Sequence, residues 1–277
     1  MTTTMLTPTV ASMSDTLSHL PSIGLDHLNA VASLQQRCDR KYILSSQAAD
    51  HFLAHLPENT AVLEIEGKLG FGYDSTYLDT GDLLCFGLAA TRRRHRFKVR
   101  VRHYCDSDQW WLEVKTQGNR GLTVKDRLPL DGSLTTDPRD RLMNDSLVAG
   151  WLAATLAARG ITPVATHRLL PTLEAAYRRS TVLLPDGSRV TVDTNLAWQS
   201  HDNQRSDQLD CLVIVETKTT GHACAADVWL WSHGARPARI SKYATGMAWL
   251  TPKLADNRWH RTLTRLHTLQ ENNNDIV

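Results

Sequence analysis

Polar and apolar residues alternate through the middle of the chain. Between positions 96 and 104, three cationic residues alternate with three apolar ones: Lys98, Arg100 and Arg102 with Phe97, Val99 and Val101. Successive side chains of a β-strand point to opposite faces, so the pattern predicts a strand with one charged and one apolar face. Glu113 and Lys115 continue the alternation, and the turn-like Cys105–Gln109 between the two segments predicts a β-hairpin.

Charged pairs recur on one face of most predicted strands. Of about eight strand candidates, six carry them: Arg37/Lys41, Lys98/Arg100/Arg102, Glu113/Lys115, Lys125/Arg127, Arg189/Asp193 and Glu216/Lys218. A solvated outer face of an open sheet explains any one of these pairs. Their repetition, with Arg and Lys dominant, favours a sheet that closes into a barrel and turns the charged faces inward.

Apolar residues at helical spacing predict several helices around these strands. They cover Leu25–Gln36, Ser46–Ala54, Leu142–Arg159, Asp227–Gly234 and Lys242–Leu250, with one more around Trp259, Leu263 and Leu266. In the helix over 142–159, Leu147 belongs to the predicted apolar stripe. The predicted fold class is therefore α+β: a closed antiparallel β-barrel with helices packed outside. We expect flexible tails over residues 1–22 and 269–277 and one domain over 23–268.

Composition argues against several classes of protein. The net charge is only +2 over 277 residues, which argues against a nucleic-acid partner, although Arg92–Arg102 holds seven Lys or Arg residues. The five cysteines form no CxxC pair and the histidines form no HxxH or HxH pair, so no zinc site is indicated and a reducing compartment fits. No segment predicts a signal peptide or a membrane helix. We therefore expect a cytoplasmic protein.

A barrel lined with cations requires an anion inside it, because burying an unpaired charge is costly. Triphosphate or polyphosphate meets this requirement, since Arg binds phosphate oxygens bidentately and Lys acts as a point charge. Glu113 and Glu216 each stand two residues before a Lys and are candidate ligands for Mg²⁺ or Mn²⁺. A salt bridge to a neighbouring cation is the alternative for each of them.

Nine short motifs follow one another along the chain. They are Arg37-x-Asp39-x-Lys41-Tyr42, Tyr73-x-Ser75-x-Tyr77-x-Asp79-Thr80, Lys98-Val-Arg100-Val-Arg102-x-x-Tyr104, Leu112-Glu113-x-Lys115, Val124-Lys125-x-Arg127, Tyr177-x-Arg179, Arg189-Val-Thr-Val-Asp193, Glu216-x-Lys218 and Ser241-Lys242-Tyr243. In this order they resemble the VTC domain, the polyphosphate polymerase domain of the vacuolar transporter chaperone. That family belongs to the triphosphate tunnel metalloenzymes, which are related to the CYTH proteins.

The resemblance implies a tunnel in which the γ-phosphate of ATP is transferred to a growing polyphosphate chain, with Mn²⁺ or Mg²⁺. Together with the charged pairs above, it gives these phosphate-binding candidates: Lys41, Arg100, Arg102, Lys115, Lys125, Arg127, Arg179, Arg189, Lys218, Arg239, Ser241 and Lys242. Of these, Lys115, Arg179 and Lys242 would act in catalysis. Glu216 would hold the metal, with Glu113 as second candidate, and Arg239 stands where the family often has Lys.

No covalent nucleophile is needed in this chemistry. Attack on the γ-phosphate by a terminal phosphate gives polymerisation, whereas attack by water gives hydrolysis. The same tunnel would therefore serve a triphosphatase acting on inorganic triphosphate or nucleoside triphosphates, and a non-catalytic polyphosphate-binding module is a third hypothesis. No segment resembles the SPX sensor domain of the eukaryotic proteins, and no membrane helix is predicted. Export of polyphosphate would require a separate membrane partner, which would place the protein at the inner face of a membrane.

Overall fold

A computed structural model describes residues 12–31, 38–118, 123–130, 145–161 and 168–274 of the chain. Its strands are β1 (Ser22–Ile23), β2 (Cys38–Ser45), β3 (Ala61–Leu63), β4 (Phe71–Thr80), β5 (Phe97–Tyr104), β6 (Gln109–Gln117), β7 (Thr123–Leu130), β8 (Leu169–Leu183), β9 (Arg189–Ser200), β10 (Ser206–Leu209) and β11 (Leu212–Thr219). Its helices are α1 (Met13–Ser18), α2 (Leu25–Val31), α3 (Ser46–Ala54), α4 (Leu84–Ala90), α5 (Ser146–Ala158), α6 (Ala225–Ser232), α7 (Lys242–Leu250) and α8 (His260–Asn274). None of these helices is long and apolar enough to span a bilayer.

One large, mainly antiparallel sheet contains the strands. Its main path runs β2-β11-β9-β8-β4-β5-β6-β7, with β10 beside β9 and β3 beside β8. The α+β class is therefore confirmed. The expected closure is not found: within the described residues no ladder joins β2 to β7, so the sheet is open along this path. Alternation of side chains determines which face is polar, whereas closure depends on strand number, tilt and stagger, which the alternation does not specify.

The chain divides into two compact units. Unit 1 comprises Met1–Gly70, Ser180–Val192 and Cys211–Pro237, and unit 2 comprises Phe71–Arg179, Asp193–Asp210 and Ala238–Val277. Strands β8 and β9 contribute residues to both units. Arg37, the first residue of the expected charged pairs, lies outside the described residues.

Unit 1 has a core of aliphatic and aromatic side chains from β2, β11, α3 and α6. Strand β11 is buried along its whole length and pairs with β2 so that Glu216 lies opposite Lys41. Ser45 caps α3 through a hydrogen bond from the amide of Ala48. Helix α1 lies within the segment 1–22 that we expected as a tail, and it contributes Leu17 to this core. Burial of Leu17 in the core holds this short helix against the rest of unit 1.

Unit 2 contains the antiparallel meander β4–β5–β6–β7. The apolar face of the predicted strand at 96–104 is confirmed, since Val99 and Val101 are each 1% exposed. Helix α5 begins at Ser146, and Asp145 caps it by accepting from the amides of Leu147 and Val148. The prediction that Leu147 belongs to the buried stripe is wrong, because its side chain is 82% exposed beside the cap. Helix α8 extends to Asn274, into the segment that we expected as the C-terminal tail.

Candidate functional site

Cations cover one face of the β4–β7 meander in unit 2. The ladder between β5, β6 and β7 sets Lys98 opposite Lys115 and Lys115 opposite Lys125. Two residues along each strand, and so on the same face, Arg100 lies opposite Glu113, which lies opposite Arg127. We call this surface the cationic face. Like charges directly opposite one another destabilise a sheet, so the row of three lysines is unfavourable without a counter-ion.

Glu113 is held between cations of the cationic face. Arg100 donates to its Oε2 from Nε at 2.8 Å, and Lys125 donates to its Oε1 at 3.3 Å. The carboxylate is 1% exposed. Burial alone would raise the pKa of Glu113, but the charges of Arg100, Arg102 and Lys125 hold that pKa below its usual range. Glu113 is therefore ionised and serves as a buried counter-ion.

A group of tyrosine rings extends the cationic face onto β4 and β8. Arg102 donates to the hydroxyl of Tyr177 at 2.7 Å and to Ser75 Oγ at 3.2 Å. The ring of Tyr73 stacks on that of Tyr177 with centroids 5.3 Å apart, and the Lys242 Nζ lies 4.0 Å from the Tyr177 centroid. Burial would raise the pKa of Tyr177, but Arg102, Arg179 and Lys242 lower it. The cations around this ring therefore outweigh the effect of burial.

Asp193 neutralises part of this charge. Arg179 donates two parallel hydrogen bonds to it, from Nε to Oδ1 at 2.6 Å and from Nη2 to Oδ2 at 2.8 Å. Lys242 also donates to Oδ2. Burial would raise the pKa of Asp193, but Arg179 and Lys242 hold it well below its usual range. The fork geometry leaves both carboxylate oxygens occupied.

Within the described residues, the cationic face holds more cations than carboxylates in described ion pairs. Its cations are Lys98, Arg100, Arg102, Lys115, Lys125, Arg127, Arg179 and Lys242, and the described ion pairs join Glu113 to Arg100 and Lys125, and Asp193 to Arg179 and Lys242. Arg102 is 5% exposed, and its described hydrogen-bond partners are neutral hydroxyls. An excess of partly buried cations is unfavourable unless an anion binds. The arrangement therefore fits a multiply charged anion.

The beginning of α7 lies beside this face. Ser241 caps the helix by accepting from the amide of Ala244 at 3.2 Å, and Lys98 donates to the same Ser241 hydroxyl at 2.9 Å. A cavity of about 200 Å³ lies at this end of β5 and β6, lined by Ala89, Arg96, Phe97, Lys98, Lys115, Thr116 and Gln117. Arg96, Lys98 and Lys115 line this cavity, and these three cations make it suitable for an anion.

A separate charged cluster occupies unit 1. Glu216, 8% exposed, accepts from Lys41 at one oxygen and from Lys218 at the other, the latter at 2.8 Å. Lys218 also donates to Thr191 Oγ1 at 3.2 Å. Arg189 donates to the carbonyl of Leu28 at 3.2 Å. Here the alternation of β11 places Glu216 and Lys218 on one side of the strand, as the sequence predicts.

The VTC domain model matches residues 36–251, well over half of the chain. The chain belongs to the VTC domain family. No curated protein matches it. Among solved structures, the chain is similar to a putative adenylyl cyclase from Hippeastrum, described as having a dominant triphosphatase activity. The two are 13% identical with a TM-score of 0.46, and the match covers 76% of this chain and 94% of the other. A putative adenylate cyclase from Vibrio parahaemolyticus is 10% identical with a TM-score of 0.43, and the match covers 77% of this chain and 98% of the other.

A protein described as an inorganic triphosphatase is also similar to this VTC domain chain. It is 13% identical with a TM-score of 0.27, and the match covers 70% of this chain and 79% of the other.

The structure distributes the expected VTC site residues between the two units. Unit 2 holds Arg100, Arg102, Lys115, Lys125, Arg127, Arg179, Arg239, Ser241, Lys242 and Glu113, whereas unit 1 holds Lys41, Arg189, Lys218 and Glu216. Most of the unit 2 residues converge on Glu113, Asp193 or Tyr177. Others are placed differently. Ser241 accepts from Lys98, and Arg127 lies over the ring of Trp111, 4.5 Å from its centroid. The exposed Arg239 approaches Arg258, whose pKa is lowered by burial and by the nearby arginines.

The sequence analysis missed the tyrosines as part of this site. Tyr73, Tyr77 and Tyr177 surround the two buried arginines: Arg100 donates to Tyr77 at 3.2 Å, and Arg102 donates to Tyr177. The signal was present, because Tyr73, Ser75 and Tyr77 alternate along β4 in the same way as the cations along β5. An aromatic and hydroxyl face opposite a cationic face predicts cation–π contacts.

Proposed function

We propose that the protein transfers the γ-phosphate of ATP onto a polyphosphate chain. The observation that carries the proposal is the row of facing lysines, Lys98, Lys115 and Lys125, flanked by the buried Arg100 and Arg102. A long anion with a charge at every repeat removes the repulsion along such a row, which one carboxylate cannot do. Membership of the VTC domain family supports the choice of polyphosphate.

The residues of the cationic face bind and orient the phosphates in this proposal. Arg102 presents its planar guanidinium to phosphate oxygens, whereas Arg179, Lys115 and Lys242 supply positive charge beside them. The attacking oxygen is that of a terminal phosphate, so no side chain need form a covalent bond. Catalysis then consists of holding the two phosphates in line and neutralising the charge that develops on the transferred group.

Glu216 fits the role of metal ligand better than Glu113 does. Mg²⁺ and Mn²⁺ accept one or two carboxylates and take their other ligands from phosphates and water. Glu216 is bound by two flexible lysines, Lys41 and Lys218, which can yield an oxygen to an ion. Glu113 is held by the rigid Arg100 fork and is almost fully buried. A divalent ion at Glu216 would add positive charge to the cluster of Lys41 and Lys218 in unit 1.

The proposal is tested by incubating the purified chain with γ-labelled ATP and Mn²⁺ and resolving the products on a denaturing gel. A ladder of labelled chains is expected. Glu216→Gln is expected to abolish turnover while thermal stabilisation by triphosphate persists, and Glu174→Gln, a half-exposed carboxylate that contacts His201, is the matched control. Release of orthophosphate without a ladder would contradict polymerisation and indicate the triphosphatase instead. Intact ATP with persistent triphosphate binding would indicate a non-catalytic module.

We further propose that the protein acts at the cytoplasmic side of a membrane through a separate membrane partner. The chemistry supports this proposal, since a polyphosphate chain cannot cross a bilayer unaided. Affinity purification of the tagged chain from its own membranes, followed by mass spectrometry, is expected to recover a multispanning protein in stoichiometric amount. Recovery of the chain alone would contradict the proposal.

A further inference from the structure

A second group of polar side chains lies on the other face of β4 and β5. The ladder pairs Asp74 with His103, and the amide of Cys105 donates to the carbonyl of Gly72 at 3.1 Å. Because directly opposed residues share a face and faces alternate along each strand, Asp74, His103 and Cys105 point to the same side. Ser75 and Arg102, one position along, point to the cationic face. The group is therefore separate from the proposed phosphate site.

The three side chains bring their donor atoms together. One ligand atom from each of Asp74, His103 and Cys105 lies within 4.8 Å of the other two, the one such group of three found in the described residues. Carboxylate oxygen, imidazole nitrogen and thiolate sulfur are the three donor types that Zn²⁺ accepts, with bonds of about 2.0 to 2.3 Å. Mg²⁺ and Mn²⁺ prefer oxygen and would gain little from the sulfur.

The ring of His103 is held in place from two sides. Its Nε2 lies 2.8 Å from Asp108 Oδ1, and it stacks on Trp110 with centroids 4.0 Å apart and an interplanar angle of 10°. A carboxylate on one ring nitrogen is the usual second contact of a metal-binding histidine. If Nε2 carries the proton and donates it to Asp108, Nδ1 is the nitrogen that can bind an ion.

The thiol of Cys105 is also positioned by its surroundings. A Cβ at position 72 would come within 3.3 Å of Cys105 Sγ and 3.1 Å of its Cβ, so Gly72 provides the space in which the thiol lies. The amide of Gly72 donates to Asp106 Oδ2 at 2.7 Å, which fixes the turn that follows β5. Cys105 and Asp74 are exposed, so an ion can reach them from solvent.

We propose that Asp74, His103 and Cys105 form a binding site for Zn²⁺ or a similar borderline metal ion, with water as the fourth ligand. Binding displaces the thiol proton to solvent, because the thiolate is the ligand. The bound ion links β4 to the β5–β6 hairpin. It is distinct from the Mg²⁺ or Mn²⁺ proposed at Glu216, and it does not depend on the proposed reaction.

The test uses Co²⁺ as a spectroscopic substitute for Zn²⁺ on the full chain. One equivalent of Co²⁺ is expected to produce a thiolate-to-cobalt charge-transfer band in the near ultraviolet, which Zn²⁺ displaces and excess Mg²⁺ does not. Cys105→Ser is expected to abolish the band and weaken Zn²⁺ binding at least about tenfold. Cys38→Ser, which changes a partly buried thiol of β2, is the matched control and should keep both.

Two further variants keep the proposal testable if Cys105→Ser does not fold. His103→Gln should weaken Zn²⁺ binding in the same way, and Gly72→Ala should weaken it by displacing the Cys105 thiol. Absence of the band in the unmodified chain would overturn the proposal. A band that survives Cys105→Ser, or that is lost in Cys38→Ser, would also overturn it. The same holds if excess Mg²⁺ displaces Co²⁺ and removes the band.

Discussion

Each unit contains a buried aspartate surrounded by a polar cluster, and the two clusters differ in the charge of the groups that bind the aspartate. In unit 1, Asp227 is fully buried and accepts from the hydroxyls of Tyr42 and Thr217, each at 2.6 Å, and from the amide of Cys224 at 3.1 Å. Among the described ion pairs, its cationic partner is Arg40, at 3.1 Å. In unit 2, Asp193 is bound by two cations, Arg179 and Lys242.

The difference is one of charge balance. The Asp227 cluster contains one negative and one positive charge, and neutral donors supply its other hydrogen bonds, so it is complete without a ligand. The Asp193 cluster lies within the cationic face, where positive charge is in excess. A satisfied polar cluster such as that of Asp227 maintains the fold, whereas the excess of cations around Asp193 is what the proposed anion binding requires.

The largest effect on stability is expected from Asp227→Ala. The change leaves Arg40 without its carboxylate and removes the acceptor of Tyr42 and Thr217, so the free energy of unfolding should fall by about 3 to 5 kcal/mol. Urea denaturation at neutral pH measures this loss. Asp126→Ala, which breaks the exposed pair with Arg159, is the control and should cost less than about 1 kcal/mol. Equal losses in the two variants would remove the distinction between the clusters.

The next effect is expected on activity rather than stability. Arg102→Met removes a buried cation whose described partners are Ser75 and Tyr177, so the rate of phosphate transfer from ATP should fall about 10²- to 10³-fold. The free energy of unfolding should change by less than about 1 kcal/mol, because the lost hydrogen bonds are offset by reduced repulsion among the cations. Arg159→Met is the matched control. A large loss of stability with unchanged activity would show that Arg102 is structural.

The sequence predicted the faces of the strands well. Alternation alone placed Lys98, Arg100 and Arg102 on one side of β5 and their apolar neighbours on the other, because a strand has a period of two residues. The partners of these residues were harder to predict. That Asp193 pairs with Arg179 and Lys242 depends on contacts between residues 14 and 49 positions apart. No local pattern encodes such contacts.

The Asp74, His103 and Cys105 group shows the same limit. Cysteine and histidine spacing in the sequence indicated no zinc site, since the three proposed ligands come from β4, β5 and the turn after β5 and follow no single motif. The β4–β5 register brings Asp74 opposite His103, and that register depends on which strands pair. For the same reason, closure of the sheet could not be derived from the alternation of its strands.

The smallest effect concerns two stacked rings within the cationic face. Burial raises the pKa of Tyr73 to about 12, whereas nearby cations lower the pKa of Tyr177 despite its burial. The folded state therefore holds the Tyr73 proton more tightly than the unfolded chain, whose tyrosines have a pKa of about 10. The stabilisation from Tyr73 is complete below about pH 10 and is lost as the pH rises to about 12. The pKa of Tyr177 is shifted in the opposite direction, so the folded state releases this proton more readily than the unfolded chain. Ionisation of Tyr177 therefore increases the free energy of unfolding as the pH rises.

Urea unfolding at about pH 8 and about pH 11.5 separates the two rings. Tyr73→Phe should lose less stability than the unmodified chain between these pH values, by about 1 to 2 kcal/mol, because phenylalanine cannot ionise. Tyr177→Phe should lose more, because it lacks the ionisation that the cations favour. Tyr42 of the Asp227 cluster is present in all three proteins and contributes equally. If the loss of stability between the two pH values changed in the same direction in both variants, the cations would not control the pKa of Tyr177. The positive charge around Tyr177 would then be neutralised by the protein itself and would not require a bound anion.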